Sequence, residues 1–359
     1  MLYFLLSLIA LRLSYWYLFF IRLALYRPVA STSKEKAISL VVAVKNNLSG
    51  IQKLVTKIQK QNYEQWEMII VDDGPDPTLN SYISTLQDPR IRYQLNDGNE
   101  GKKHALISGI RAAKYTWIAV TDSDCEPASL KYFDAMQASL TSANHQIVLG
   151  FAPLKAGKSM ASKLASYEAA YVGMQYLSYA LAGLPYMGVG RNMLFDKESY
   201  LSNVEEISNV PVISGDDDLF VQAAANAKNT TICIHPYSFC VSNAPQTLGE
   251  WLRQRSRQIA TAPHYQKKHQ WLLAVFGGLH LMIYFLLLLS TVCGALQVKE
   301  ALACWMIMVG LMSLVQYPVF RKLGSIKALL WTPVADIFLA GFYLMVAIRF
   351  KTKKVQTWK

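Results

Sequence analysis

The chain has few charged residues for its length. Asp, Glu, Lys and Arg make up only 17% of its 359 residues, while hydrophobic residues make up 52%. A composition this apolar excludes an ordinary soluble protein. The excess is localised in a run that covers 1–26 and in three later runs at about 271–296, 301–319 and 328–348. Each run is about long enough to cross the ~30 Å hydrocarbon core of a bilayer as a helix.

Cysteine is also scarce, and its spacing shows no pattern. The five cysteines form no C-x-x-C pair, and two of them lie in apolar runs. Neither a disulfide framework nor a zinc site is indicated, which fits a domain that faces a reducing cytosol. The stretch from about 30 to 265 lacks any long apolar run, internal repeat or low-complexity segment, so it is predicted to be a soluble domain.

The first apolar run is predicted to be an uncleaved anchor or an interfacial helix. A signal peptide is the alternative, but the run is longer than the usual hydrophobic region of one. Arg12 and Arg22 also interrupt it, and no clear small-x-small cleavage site follows. The predicted organisation is an anchor at 1–27, a soluble domain with a juxtamembrane helix at 28–265, about three membrane segments at 266–350 and a basic tail at 351–359.

The formal net charge is +12, and much of the excess lies beside the apolar runs. Lys267 and Lys268 precede the second run, and Arg349 and Lys351 follow the last one. This placement favours the positive-inside rule and anionic lipid headgroups over nucleic-acid binding. It also creates a conflict, because three spanning segments would put the basic stretch at 264–270 and the basic tail on opposite faces. One segment is therefore re-entrant or interfacial, or the tail breaks the rule.

The soluble domain shows alternating strands and helices. Continuous apolar or β-branched runs predict strands at 37–44, 67–74, 91–96 and 115–124, the second and fourth of which end in acidic residues, with helices between them at about 49–61 and 101–114. Ser49 is the expected N-cap of the first of these helices. The alternation predicts an α/β fold with a mostly parallel sheet and helices on both faces. Later segments predict a strand at 146–154, one or two helices at 158–182 and a helix from about Leu219.

Acidic residues end two of these strands, at the sheet edge where α/β proteins bind ligands. Asp122 and Asp124 in "TDSD" are two residues apart, so an extended chain points both carboxylates to one side. They predict either a clamp for Mg²⁺ or Mn²⁺, which prefer oxygen ligands, or a polar turn. Asp72 and Asp73 in "VDDG" predict hydrogen-bond acceptors for a base or ribose, or again a strand-ending turn.

Three further motifs precede or lie on helices. In "NEGKKHAL", Lys102 and Lys103 lie in a first helical turn, where lysine opposes the helix dipole, so they predict a phosphate or nucleobase contact or solvent-facing side chains. In "SGDDDLF", the three consecutive acids Asp216, Asp217 and Asp218 exceed what capping needs. Their mutual repulsion raises at least one pKa, which suits a general base. In "EWLRQRSRQ", residues 254, 257 and 258 share one helical face, as a diphosphate clamp or a basic juxtamembrane helix would require.

Taken in this order, "SLVVAVKNN", "IIVDDG", "NEGKKHAL", "TDSDCEP", "GRNMLF", "SGDDDLF" and "WLRQRSRQ" resemble a membrane-associated glycosyltransferase of family 2, over about 37–262. The resemblance implies a GT-A fold and inverting transfer from a nucleotide-diphospho-sugar. The resemblance also implies roles for the site residues. Asp72 and Asp73 would lie near the nucleobase and ribose, and Lys102 near the uridine. Asp122 and Asp124 would bind Mg²⁺ or Mn²⁺, with Asp122 towards the nucleotide, Asp216 would be the base, and the diphosphate would be bound by Gln254, Arg255 and Arg257.

The chain departs from the family pattern at three places. Gln258 replaces the tryptophan of Q-x-x-R-W, which marks processive synthases, so a single addition is expected. Gly215 replaces the acid before the base, which leaves Asp217 as the alternative base. The early "VKNN" also lacks the acid that commonly ends this motif, so a contact there stays open.

The expected function is transfer of a sugar, from a UDP-sugar in the first instance, to a membrane lipid or lipid-linked acceptor, with no nucleic-acid partner. The expected location is the inner membrane, as a multi-pass protein with the soluble domain on the cytoplasmic side. Two alternatives stay open: a catalytically degenerate scaffold that only binds nucleotide sugars, and a transporter with a cytosolic domain. Asp336 is the clear acid within the apolar runs, and intramembrane charge is where transport function would show.

Overall fold

The computed structural model describes residues 2–28, 35–96, 99–212 and 215–352. The strands are β1 Ile38–Val44, β2 Trp66–Asp72, β3 Ile91–Leu95, β4 Trp117–Val120, β5 Glu126–Pro127, β6 Ile147–Gly150, β7 Leu154–Lys155, β8 Met193–Asp196, β9 Thr230–Cys233 and β10 Cys240–Asn243. The helices of the soluble domain are α3 Leu48–Ile58, α4 Pro77–Thr85, α5 Lys102–Ala112, α6 Tyr132–Gln137, α7 Met160–Leu181, α8 Lys197–Leu201, α9 Val204–Asn209, α10 Asp216–Ala224 and α11 Leu248–Gln258. The apolar runs form α1 Leu2–Tyr15, α2 Ile21–Leu25, α12 Lys267–Val292, α13 Val298–Lys322 and α14 Thr332–Thr352.

The main sheet confirms the predicted α/β fold. In the described residues it has seven strands in the order β3-β2-β1-β4-β8-β6-β9. The pairs β3–β2, β2–β1 and β1–β4 are parallel, as the alternation predicts, whereas β8 runs antiparallel to both β4 and β6. Alternate residues of β1 enter two separate hydrophobic clusters, with Val41 and Ala43 in one and Leu40 and Val42 in the other. Both faces of β1 are therefore covered, which explains its unbroken apolar sequence.

Two helix starts differ from the prediction. Asn47, not Ser49, caps α3, because its side-chain oxygen accepts a hydrogen bond from the Gly50 amide at 3.1 Å. Helix α10 begins at Asp216 instead of near Leu219, directly after Gly215 with a φ of +97°. Glycine adopts this left-handed conformation without strain. The three acids consequently lie in the first turn of α10, and Ser214 of the same motif lies outside the described residues.

Four helices are long and apolar enough to cross a membrane, and they coincide with the four apolar runs: Leu2–Leu25, Lys267–Val292, Val298–Lys322 and Ile326–Phe350. One turn of wider π-helix, Trp16–Phe20, joins α1 to α2 within the first of them. Only residues 351 and 352 of the predicted basic tail are described; 353–359 lie outside. These helices identify a membrane protein.

A buried ion pair ties the first apolar helix to the last. An Nη2 of Arg12 lies 2.7 Å from Oδ1 of Asp336, and both side chains are at most 1% exposed. The His280 ring contacts the Asp336 carbonyl oxygen at 2.8 Å, and the Tyr284 hydroxyl donates to Oδ2 of the same carboxylate. Pairing and these further contacts offset part of the cost of placing these charges in an apolar region.

Helix α14 packs along the soluble domain. The Trp251 ring of α11 stacks on Phe338 at 5.8 Å and on Phe342 at 4.0 Å between ring centroids. Near the start of α14, Thr332 donates to the side-chain oxygen of Gln316 in α13 at 2.8 Å. Helix α14 therefore contacts the soluble domain at Phe338 and Phe342 and contacts the apolar helix α13 at Thr332.

Candidate active site

The two aspartates at the end of β2 are occupied by hydrogen bonds within the chain. Asp72 is fully buried, and its carboxylate accepts hydrogen bonds from the amides of Gly74 and Asp76 and from the Tyr93 hydroxyl, at 3.3, 2.9 and 3.0 Å. These bonds fix the turn between β2 and α4. Asp72 therefore supports this loop, and its carboxylate is already engaged by groups of the chain.

Asp73 organises the start of α5. Its two carboxylate oxygens accept from the Gly101 amide at 2.8 and 3.0 Å, and one also accepts from the Asn96 side chain at 2.7 Å. Lys45 lies 3.7 Å away. Gly101 precedes α5 with a φ of +126°, so Asp73 holds an amide that the helix itself leaves unpaired.

The structure brings Lys102 and Asp122 together. The Lys102 Nζ lies 2.6 Å from Oδ1 of Asp122, and the two side chains are 17% and 30% exposed. Burial opposes both charges, but each partner outweighs it, so the pKa of Lys102 is raised and the pKa of Asp122 is lowered. The predicted nucleotide-binding lysine and the first aspartate of "TDSD" therefore form one charged pair.

Asp124 is exposed and lies beside Asp122. Withdrawal from bulk water, followed by the Asp122 charge, raises the pKa of the Asp124 carboxyl. Ligand atoms of Asp122, Asp124 and Cys125 all lie within 4.8 Å of one another. Two carboxylates at this separation fit a hard divalent cation, whereas buried Cys125 contacts an Asp124 oxygen at 3.5 Å. The donor set suits Mg²⁺ or Mn²⁺ through the carboxylates.

Lys103, next to Lys102, has a structural role. Its Nζ donates to the carbonyl oxygens of Ile207, Ser208 and Val210 at 3.2, 3.1 and 2.8 Å. It thereby closes the C-terminal end of α9, where helix carbonyls lack partners. Lys102 thus points towards the candidate site, whereas Lys103 stabilises the fold.

The three acids of α10 have different surroundings. Asp216 is 5% exposed. Asp217 accepts a hydrogen bond from the Gly190 amide at 2.6 Å. Burial, and then repulsion from Asp216, raises the pKa of Asp217 to about 6. Asp218 is buried and accepts hydrogen bonds from the Thr261 hydroxyl, at 3.0 Å, and from the Tyr265 hydroxyl.

Two arginines of helix α11, Arg255 and Arg257, have different surroundings. The Arg255 Nε lies 2.7 Å from Oε2 of fully buried Glu168, which also accepts from the Trp251 indole at 2.7 Å. Arg255 further donates to Gln258 at 2.6 Å. The Nε of Arg257 is buried and has no hydrogen-bond partner among the described residues. A buried guanidinium nitrogen without a partner is suited to an anionic ligand.

Sequence reasoning missed two residues of the site. Glu168 lies on α7, far in sequence from its partners on α11, and a single glutamate in an amphipathic stretch gives no signal. Arg191 lies in the "GRNMLF" motif, and the motif alone indicates no role for it. Its side chain donates to the Ser242 hydroxyl at 2.6 Å, and its carbonyl oxygen accepts from Thr121 at the end of β4. The "GRNMLF" motif marked the segment that contains Arg191, but it did not indicate what the side chain contacts.

One cavity of about 500 Å³ connects these residues. Its polar end is lined by Lys102, Asp122, Arg191, Asp217, Gln254 and Arg257. Its other end is lined by side chains of the apolar helices α12 and α14. Of the predicted site residues, Arg255 also lines it, whereas Asp72, Asp73, Asp124 and Asp216 are not among the described lining residues.

Similar proteins agree with this architecture. Residues 39–201 match the model of glycosyl transferase family 2. The poly-beta-1,6-N-acetyl-D-glucosamine synthase of Staphylococcus aureus (strain COL) is 25% identical over 238 residues, which cover 64% of this chain and 56% of that protein. The succinoglycan biosynthesis protein ExoO of Rhizobium meliloti is 33% identical over 91 residues, 25% of this chain and 26% of that protein. The chain thus spans little more than half the length of the first of these relatives.

A solved structure shares the fold over nearly the whole chain. The mannosyltransferase PcManGT of Pyrobaculum calidifontis, in complex with GDP-Man and Mn²⁺, superposes with a TM-score of 0.61 and 16% identity over 97% of this chain and 98% of that one. This likeness concerns the fold. Together, this likeness and the family match show a chain with the GT-A fold in which residues 39–201 are similar to glycosyl transferase family 2.

Proposed function

We propose that the protein transfers a sugar, with inversion, from a nucleotide-diphospho-sugar to a hydroxyl of a lipid or lipid-linked acceptor. The observation that carries the proposal is the continuous cavity, which joins Lys102, Asp122 and Asp217 to side chains of α12 and α14. A donor at the polar end and an acceptor at the membrane end would meet beside Asp217.

The polar end fits the diphosphate of the donor. Lys102, Arg191 and Arg257 bring three positive groups to the cavity, and such groups recognise phosphate oxygens. Asp122 and Asp124 would hold Mg²⁺ or Mn²⁺, which supplies positive charge against the leaving diphosphate. PcManGT, which shares the fold, binds GDP-Man and Mn²⁺, and the uridine expectation from the sequence makes a UDP-sugar the first donor to test.

Asp217 is the proposed general base. It lines the cavity, whereas Asp216 is not among the described lining residues. Its pKa of about 6 leaves the carboxylate ionised at neutral pH and basic enough to accept a proton from an attacking hydroxyl. In the proposed step the acceptor oxygen bonds to the anomeric carbon, the bond to the diphosphate breaks, and the hydroxyl proton passes to Asp217. The Gly190 amide orients the carboxylate.

The acceptor is proposed to be glycosylated once. Gln258 stands in place of the tryptophan of processive synthases and accepts a hydrogen bond from Arg255. Polysaccharide synthesis is the second candidate, because the Staphylococcus aureus relative is named as a polysaccharide synthase. The apolar character of the membrane end of the cavity supports the lipid.

The proposed location is the cytoplasmic face of the inner membrane, as a multi-pass protein. Basic residues beside the apolar helices support this orientation, since lysine and arginine accumulate on the cytoplasmic side. The free thiols of the buried Cys125, Cys233 and Cys240 are compatible with a reducing compartment.

Purified full-length protein should be tested against UDP-glucose, UDP-N-acetylglucosamine and GDP-mannose, with total membrane lipid extract as acceptor. We expect labelled sugar to enter one chloroform-soluble product of a single added sugar with one of these donors. Asp217→Asn should slow transfer by roughly 10²–10⁴-fold, the usual contribution of a general base, and leave donor binding intact. Donor binding without any turnover would overturn the proposal in favour of a binding scaffold, and a ladder of products would favour polymer synthesis.

A further inference from the structure

The membrane end of the cavity is apolar and reaches the outer surface of the helix bundle. On α12 it is lined by Leu273, Phe276, Gly277, His280 and Leu281. Phe276 is 4% exposed, whereas Leu281 lines the cavity and is also 37% exposed. Leu281 therefore belongs both to the cavity wall and to the accessible surface of α12, an apolar helix long enough to cross a membrane.

Gly277 leaves space in this wall. It is half-buried, and a Cβ added there would meet no heavy atom within 4 Å. A glycine within a long helix costs stability relative to alanine, and no close neighbour of Gly277 requires one. The missing side chain widens the cavity between Phe276 and Leu281.

The opposite wall belongs to α14. Ala340, Tyr343 and Val346 line the cavity from that helix. Ala340 and Val346 line the cavity although they are only 6% and 1% exposed. The buried charges of Arg12 and Asp336 neutralise each other, and the His280 ring is held by the Asp336 carbonyl oxygen. The membrane end thus presents mainly hydrocarbon and aromatic surface.

We propose that the apolar chain of a lipid acceptor enters the cavity sideways from the bilayer, past Leu281 and Gly277, between α12 and α14. The inference rests on the proposed function and adds to it the entry route and the binding site of the acceptor's apolar chain. Its hydroxyl-bearing head then extends towards Asp217, where the donor sugar lies. A polysaccharide would instead require hydroxyl partners or water along the same path, because its own hydroxyl groups need hydrogen bonds.

Gly277 and Gly278 form a matched pair for testing this route. A Cβ at Gly278 also meets no heavy atom within 4 Å, but Gly278 is exposed and is not a lining residue. Alanine, leucine and phenylalanine should be placed at each position in turn, with the full-length protein in nanodiscs of phosphatidylethanolamine and phosphatidylglycerol. Two rates are measured for each variant: sugar transfer into total membrane lipid extract, and hydrolysis of the same nucleotide sugar with water as acceptor.

At position 277 we expect transfer into lipid to fall with side-chain size, at least tenfold for Gly277→Phe, while donor hydrolysis and donor Kd stay within twofold of wild type. The same series at position 278 should leave both rates unchanged. Equal transfer in the two series would overturn the route. Loss of hydrolysis together with transfer in even the alanine variant at 277 would overturn it as well, since Gly277 would then support the fold.

Failure of the route and failure of the proposed function are distinguishable. Wild-type protein that glycosylates no component of the lipid extract contradicts the proposed function itself. Wild-type transfer into lipid with no effect of Gly277→Phe contradicts the side entry alone.

Discussion

The Nζ of Lys102 lies 2.6 Å from Oδ1 of Asp122 within the cavity, so the lysine proposed to bind the donor neutralises an aspartate proposed to bind the metal. A diphosphate competes with Asp122 for Lys102, and a divalent cation competes with Lys102 for Asp122. Each ligand therefore releases a group that the other uses. Donor and metal are expected to bind with positive coupling, which is reciprocal by linkage.

Replacing Lys102 by alanine should separate the two affinities. Loss of a charged hydrogen-bond donor should weaken donor binding by about tenfold or more, since such bonds contribute roughly 1.5–3 kcal/mol. Mn²⁺ should bind more tightly in the absence of donor, because Asp122 has lost its competing partner. Calorimetric titration of each ligand measures both effects. Lys103→Ala is the control: it should lower the Tm through the lost carbonyl contacts and leave donor affinity unchanged.

Removal of divalent metal should stop transfer. With a chelator present we expect a loss of roughly 100-fold or more, restored by added Mg²⁺ or Mn²⁺, because a divalent cation supplies positive charge where the diphosphate leaves. Asp124→Ala should show the same loss without chelator and should not be restored by metal. If turnover is the same with and without the chelator, neither Asp122 nor Asp124 binds a catalytic metal.

The acid limb of the pH profile should report Asp217. Its pKa is raised to about 6, so the carboxyl is protonated and inactive as a base below that pH and ionised above it. The kcat/KM for the acceptor should rise about tenfold per pH unit up to about 6 and then level off.

The neighbouring acid provides the control for this assignment. Asp216→Asn removes a charge that raises the pKa of Asp217, so the acid limb should move to lower pH while activity is retained. Asp217→Asn should lose roughly 10²–10⁴-fold, the usual contribution of a general base. The reverse pattern, with Asp216→Asn inactive and Asp217→Asn active, would assign the base to Asp216.

Glu168 should act by holding Arg255 and Trp251 in place. Glu168→Gln leaves the Arg255 charge largely buried without its partner, and breaking such a pair costs roughly 3–5 kcal/mol. We expect a clear fall in Tm and a fall in kcat with little change in donor KM. The double variant Glu168→Gln with Arg255→Met should regain part of the lost Tm. If its Tm loss instead equals the sum of the losses of the two single variants, the ion pair does not couple the two residues.

The packing of α14 against Trp251 predicts the location of the C-terminus. Because α14 contacts the domain at Phe338 and Phe342, we expect its end to return to the domain side of the membrane. That topology would resolve the conflict between the basic residues before α12 and those that follow the last apolar run. A topology reporter fused after the last residue should report the same side of the membrane as a reporter fused to the soluble domain. A reporter inserted between α12 and α13 should report the other side. Agreement between the C-terminal and the α12–α13 reporters would mean that α14 crosses the bilayer.

The sequence predicted the sheet core better than its far edge. The apolar runs of β1 and β2 are self-evident, because strands covered on both faces must be apolar throughout. The antiparallel insertion of β8 between β4 and β6 was not predicted, since it depends on which strands meet after the long helix α7. Helix starts were missed where a single residue decides them, as with Asn47 before α3 and Gly215 before α10.

The sequence singled out the acidic motifs, but the role of each acid depends on contacts that no motif contains. Asp72 and Asp217 both belong to acidic runs, yet one is saturated by amides of its own loop and the other faces the cavity. Glu168 could not be found at all, because its partners lie 83 and 87 residues away. Such long-range pairing is decided by the packing of α7 against α11.

The ion pair between Arg12 and Asp336 also constrains how the protein is made. Its two residues are separated by 324 positions. At a synthesis rate of about 5–20 residues per second, roughly 15 to 65 seconds pass between their translation. During that time the first helix carries an uncompensated arginine, which disfavours insertion by about 2.5–3.5 kcal/mol at a helix centre. A chain that stops before Asp336 therefore lacks the partner of Arg12, and we expect its N-terminal helix to be less stable in the membrane than that of the full-length protein.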